Sequence, residues 1–305
     1  MVPIKLVGLY NRYRPPISYK PSGYFGGPRQ LKHFARVLSL IGITATLALP
    51  TFAGNIALTG HDDDFHQSTN ALGQISAFAK FAADGSTLPF LVFDAGSELT
   101  TGLTAAGITN FINVDPNTAG NVTDALFNHS VYSAFLIASD TTCGGCDNDT
   151  TSSTNIAAHS AAIASFLNAG GGIVAFAGAD NAGYYSFLPQ TASSVGGAPS
   201  SGYSQTAVGA TLGIPAVNGD ATHNLFFDPG THGTASAYQV AEVNSIGNGT
   251  ILGPNAATTL VCAGCTTSGG VIIGGGGSVP EPSSILLLGT GLLGLGFAIR
   301  RKRIC

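Results

Sequence analysis

The chain has 305 residues, and its 12 Lys+Arg against 16 Asp+Glu give a net charge of −4. Seven bases precede residue 54 and four fall in the last six residues, so residues 55–279 hold fifteen acids against the single base Lys80, a net −14. A body of that sign repels phosphate backbones, which excludes nucleic-acid binding and phosphate clamping by basic side chains.

Residues 1–53 read as an N-terminal extension and export signal. From Leu31 two bases are followed by an apolar run, Val37 to Leu49, and then by small residues ending at Ala53. That is the order of a secretory signal peptide handled by the Sec export machinery, with cleavage expected after Ala53. The thirty residues before it fit no signal peptide; a start near Leu31 and a long n-region are the two readings.

Residues 54–268 are expected to form one exported α/β domain. Ile, Leu, Val and Phe fall in separated blocks, which excludes a disordered chain. Strands are expected at 55–59, 88–93, 109–114, 132–138 and 172–177, with helices near 66–83, 97–107, 119–129 and 154–169. Strands alternating with helical patterns predict a doubly wound, mostly parallel sheet, flavodoxin-like or amidotransferase-like. The less regular 181–268, with a helix near 205–213 and strands near 222–227, 237–243 and 258–262, is expected to close the sheet edge.

The run Ala164 to Gly178, a helix, a glycine turn and a strand, resembles the class I glutamine amidotransferase-like fold. That resemblance implies a nucleophilic Cys just after the strand. Phe176, Ala177, Gly178 and Ala179 stand there, with no thiol or hydroxyl to attack a carbonyl, so catalysis of that kind is expected to be lost.

The first strand runs into His61, Asp62, Asp63, Asp64 and His66, and each of the five strands expected between 55 and 177 is followed within three residues by an aspartate, Asp115 and Asp140 among them. Carboxylates at the carboxyl edge of a sheet, with almost no cation to neutralise them, would draw Ca²⁺ or a hydroxyl-rich glycan. The same aspartates serve equally as helix caps and turn formers. His61, Asp62–Asp64, His66, Asp115 and Asp140 are therefore candidate metal or ligand residues, with Zn²⁺ the second choice because no HExxH spacing is present. His223, His232 and Asp228 could join that edge or belong to a loop.

Cysteines come as Cys143-Gly-Gly-Cys146 and Cys262-Ala-Gly-Cys265, plus Cys305. In an oxidising compartment two disulfides are the simplest outcome, and a Cys₄ zinc site or a redox pair are the alternatives.

Residues 269–278 read as a Gly-rich linker and 279–305 as a sorting signal. Val279-Pro280-Glu281-Pro282 precedes an uncharged run, Ile285 to Ile299, and then Arg300, Arg301, Lys302 and Arg303. A transmembrane helix over 283–299 is expected, with the basic cluster holding its end in the cytoplasm. This tripartite tail resembles the PEP-CTERM sorting signal, which implies recognition and cleavage by a membrane-embedded exosortase. The protein is then expected to be anchored in the inner membrane with its body in the periplasm, and afterwards released to the cell surface or the extracellular matrix. The functional expectation is a non-catalytic binding or structural component, with exopolysaccharide as a candidate partner in a biofilm. The alternative is a secreted metal-assisted hydrolase or degenerate amidotransferase-like enzyme using the His61–His66 loop.

Overall fold

A computed structural model of the protein describes residues 53–219 and 222–271. The export signal, the span expected at 283–299 and the sorting residues lie outside the described residues, apart from position 53. Among the described residues no helix is long and apolar enough to cross a membrane.

The chain alternates strands and helices as its apolar blocks dictate. The strands are β1 (Gly54–Thr59), β2 (Phe90–Phe93), β3 (Phe111–Val114), β4 (Ala134–Ile137), β5 (Gly172–Ala175), β6 (Ser194–Gly196), β7 (Tyr203–Gln205), β8 (Asn224–Phe226), β9 (Gln239–Asn244), β10 (Ala256–Thr266) and β11 (Gly269–Val271). The helices are α1 (Asp63–His66), α2 (Thr69–Ala83), α3 (Glu98–Ala105), α4 (Thr150–Ala157), α5 (Ser160–Asn168) and α6 (Ala207–Leu212).

All belong to one sheet, ordered β3-β2-β4-β5-β1-β10-β8-β6, with β9 and β11 also on β10 and β7 on β9. The five strands from β3 to β1 are parallel, and β10 runs antiparallel to β1. Alternate strand residues face two apolar layers. Ile56, Leu58, Phe93, Phe135 and Ile173 pack with Phe166 and Leu167 of α5 on one side; Ala57, Val92, Leu136 and Val174 pack with Ile75 and Phe78 of α2 on the other. In α2 the buried positions 71, 74, 75, 78, 79 and 82 follow the helical period, and Ser68 caps it by accepting from the Ala71 N–H at 3.3 Å.

The mixed α/β class and the mostly parallel sheet agree with the sequence reading, but the strand order is not flavodoxin-like. That order is 2-1-3-4-5; here β1 occupies the position the fifth strand would take, beside β5. The C-terminal part does more than close an edge. β10, eleven residues long, is an interior strand lying against β1. At the start of the segment expected as a linker, Gly269–Val271 forms β11 on β10.

Two expected helices differ. Residues 119–129 form only a 3-10 turn at Asp124–Leu126. The Asn121 amide bonds the Asp115 carbonyl and the Asn128 side chain accepts from the Ser130 N–H, local bonds that compete with a helix. The helix expected over 154–169 starts at Thr150, where Asp149 and Ser152 form a capping box, and breaks at His159 into α4 and α5.

Candidate functional site

The segment after β1 crosses the carboxyl ends of its neighbours. The His61 carbonyl accepts from the Ala177 N–H just beyond β5, at 3.1 Å. Asp64 reaches the end of β4, where its carboxylate accepts from the Ser139 N–H at 2.7 Å and the Ser139 hydroxyl at 2.6 Å. Burial pushes the Asp64 carboxyl up to about 7, against the pull of those two hydrogen bonds. On the far side, the Gly60 carbonyl accepts from the His223 N–H at 3.0 Å, so the chain entering β8 lies against the same loop.

The acidic run therefore does not form one ring. Its side chains diverge into separate environments, and a centre forms around Asp62. The Asp62 carboxylate is 1% exposed, and its Oδ2 lies 3.3 Å from His66 Nε2 and 3.1 Å from His223 Nε2. The i,i+4 spacing on α1 supplies His66; the backbone bond between Gly60 and His223 supplies the other imidazole, 161 positions from Asp62. Asp62 Oδ1 accepts no hydrogen bond among the described residues. Ligand atoms of Asp62, His66 and His223 all fall within 4.8 Å of one another, and so do those of Asp62, Cys143 and Cys146. His223 also lines a cleft of about 460 Å³ bordered by Thr142, Asp180, Ser200 and Thr222.

His61, expected at this centre, points elsewhere. Its Nε2 lies 3.0 Å from Glu242 Oε2 on β9 and its Nδ1 2.6 Å from the Thr222 hydroxyl. Glu242, fully buried, also accepts from Gln74 Nε2 (2.9 Å), the Thr259 hydroxyl (2.9 Å) and the Val217 N–H (2.9 Å). Sequence reasoning passed over Glu242, although an acid inside the strand pattern Tyr-Gln-Val-Ala-Glu-Val is a visible signal. Asp63 is buried within α1.

Asp115 and Asp140 are likewise not among the ligand atoms gathered at Asp62. Asp115 holds a turn through the Asn117 N–H and the Thr118 hydroxyl. Asp140 caps a 3-10 turn through Thr142 and ties down Asn181 Nδ2 at 2.6 Å. Both carboxylates make turn and cap contacts.

At the point where the strand order reverses, between β2 and β4, side chains from the loop after Cys146 fill the crevice. Asn148 bonds the carbonyls of Phe93 and Ala138, and Asp147 accepts from the N–H groups of Ser97 and Glu98 at 2.8 Å each, capping α3. Asp94 meets Asp147 there. Its own carboxylate accepts from Gly96 and Thr100, yet burial and the neighbouring Asp147 carboxyl push it up from 3.8 to about 6. A raised native pKa stabilises the fold in the protonated form. The Asp94 contribution is complete below about pH 4 and lost as pH rises through about 6. Asp94→Asn should flatten that part of the stability profile in denaturant titrations between pH 3 and 8; an unchanged profile would contradict the assignment.

Beyond β5, Ala179 has φ of 47°. The N–H groups of Gly178 and Ala179 both point to Asn224 Oδ1, at 3.0 and 3.1 Å. A left-handed alanine costs about 1–2 kcal/mol, partly offset by the greater unfolded-state freedom of glycine. Ala179→Gly is expected to raise the unfolding free energy by up to about 1 kcal/mol; a net loss in chemical denaturation would refute the strain.

The cysteines pair within each motif, Cys143 with Cys146 and Cys262 with Cys265. Cys262 and Cys265 oppose Ile56 and Gly54 at the start of β1, whereas Cys143 and Cys146 follow the end of β4, which runs parallel to β1. The motifs thus sit at opposite ends of the sheet, which separates the sulfurs that a shared Cys₄ site would need together.

These features belong to an exported protein with a C-terminal sorting signal. The family model of the PEP-CTERM protein-sorting motif matches residues 278–302, a C-terminal sorting signal that implies an exosortase as processing partner. No curated protein and no solved structure matches the chain.

Proposed function

We propose that the mature protein is a non-catalytic binding component of the cell surface or extracellular matrix, and that it works through a divalent-metal centre at Asp62, His66 and His223. One observation carries this reading: a buried carboxylate with an oxygen lacking any hydrogen bond among the described residues faces two partly exposed imidazoles. An uncompensated buried carboxylate oxygen is costly, and a cation coordinated there removes the cost. Two imidazoles and one carboxylate suit Zn²⁺ or a similar borderline metal. Ca²⁺, which takes six to eight oxygens, suits them poorly. Passage through the Sec machinery, transient anchoring in the inner membrane and exosortase cleavage complete the route, and an acidic body carrying a surface metal is suited to exopolysaccharide.

Calorimetric titration of the purified protein with Zn²⁺, Co²⁺ and Ca²⁺ tests the centre. Zn²⁺ and Co²⁺ are expected to bind at one site that His223→Ala abolishes, and zinc at 100 times its dissociation constant should add about 2.7 kcal/mol of stability. Stoichiometric Ca²⁺ binding without Zn²⁺ binding would reject it.

The cleft beside His223 favours a second reading, a metal-assisted hydrolase in which the open coordination position faces that cleft. Turnover of any member of an ester, amide and glycoside panel by the zinc-loaded protein, lost in His223→Ala, would select it. The amidotransferase-like alternative finds no nucleophile, since Ala179 follows β5 and Asn224 occupies the adjacent N–H pair.

A further inference from the structure

We infer that the Cys143–Cys146 bridge gates the Asp62 centre: its reduction supplies Cys146 as a fourth ligand and converts an open three-ligand site into a closed Asp-His-His-Cys site. This rests on the metal reading above and adds its regulation.

Asp62 is the shared member of two groups of ligand atoms, one with His66 and His223 and one with Cys143 and Cys146. Cys146 Sγ lies 3.8 Å from Asp62 Oδ2, the same oxygen that the two histidines approach at 3.3 and 3.1 Å. Around a tetrahedral zinc with bonds of about 2.0–2.3 Å, neighbouring donor atoms stand roughly 3.3–3.7 Å apart. The pairwise spacings from Asp62 to its three neighbours already fall near that range. The bridge is held over α1, since a Cβ on Gly145 would come within 2.5 Å of the Phe65 ring, next to His66. Cys146 is buried and Cys143 half-buried, so an external reductant attacks the Cys143 side of the bond.

Disulfide sulfurs are poor donors, whereas a thiolate is among the strongest zinc ligands. The reductant is a low-molecular-weight thiol, two of which become a disulfide as the protein bridge takes up two electrons and two protons. Zinc then displaces the proton of the Cys146 thiol to solvent as the Zn–S bond forms. By reciprocal linkage, metal must favour the reduced bridge by the factor by which reduction favours metal. Among the described residues no group of metal-ligand atoms includes Cys262 or Cys265, so that bridge provides an internal control.

The test uses Co²⁺ on the purified protein, before and after reduction by a water-soluble phosphine, which is oxidised to its oxide with oxygen from water. In the reduced protein a sulfur-to-cobalt charge-transfer absorption is expected in the near ultraviolet, with affinity about tenfold or more above the oxidised form. Zinc should correspondingly shift the bridge midpoint by about 30 mV per tenfold. Cys146→Ser should lose the absorption and the gain on reduction. Cys143→Ser, which leaves Cys146 free, should show both without reductant. Equal cobalt affinity in both states without the absorption would overturn the gating and leave the three-ligand site standing. Cobalt binding in neither state would overturn both.

Discussion

Glu242→Ala is expected to lower folding stability by about 3–5 kcal/mol, the range for removing one partner from a buried ionic network. Glu242 collects His61, Gln74, Thr259 and the Val217 N–H around one buried carboxylate. Those donors come from the loop after β1, from α2, from β10 and from the segment before β8, so the network joins the parallel half of the sheet to the antiparallel half. Truncation removes the acceptor shared by all four donors; Gln74 keeps the Pro215 carbonyl and Thr259 the Thr59 hydroxyl, while His61 Nε2 and the Val217 N–H are left buried without it. Denaturant unfolding measures the loss. His61→Ala in the Glu242→Ala background should cost far less than in the wild type, because the two groups act together. A Glu242→Ala variant within 1 kcal/mol of wild type would mean that the β1–β10 backbone pairing and apolar packing hold the halves without the network.

Gly60→Ala has the second-largest expected effect and reports on function as well. A Cβ at Gly60 would stand 1.8 Å from the Asn224 carbonyl oxygen, a backbone atom with no rotamer to yield. The strand entering β8 must therefore shift, at a cost of about 3 kcal/mol, the upper part of the usual overpacking range. The Gly60 carbonyl also accepts the His223 N–H, so the displacement carries the His223 imidazole away from Asp62. The expected result is joint loss of stability and of Co²⁺ binding. Retained metal binding with unchanged unfolding free energy would show that the close approach is not rigid.

The candidate site was legible in pieces. Asp62 and His66 were legible as two of five ligand-capable side chains clustered just beyond a strand, at the edge where open α/β sheets bind ligands. His61 and Asp64 looked equivalent to them in the sequence and are not. Successive residues of a tight turn point in different directions, and their destinations, Glu242 and Ser139, lie 181 and 75 positions away. Asp115 and Asp140 were readable as cap or ligand with equal ease, because a carboxylate accepting N–H bonds and one coordinating a cation have the same local sequence. The failed helix at 119–129 shows the same competition at backbone level, with short polar side chains satisfying nearby amides before a helix can.

The sequence by itself determined the sorting motif at the C-terminus, the acidic character of the body and the alternation of strand and helix. Each is encoded by composition or by spacing within about thirty residues, where periodicity and charge order act without distant partners. Only the tertiary structure decided that β1 lies between β5 and β10, that Asp147 and Asn148 fill the crevice at the strand reversal, and that His223 meets Asp62. Those outcomes depend on strand pairing between segments more than forty positions apart. Such pairing is selected by burial and hydrogen-bond satisfaction over the whole sheet, which no local pattern records.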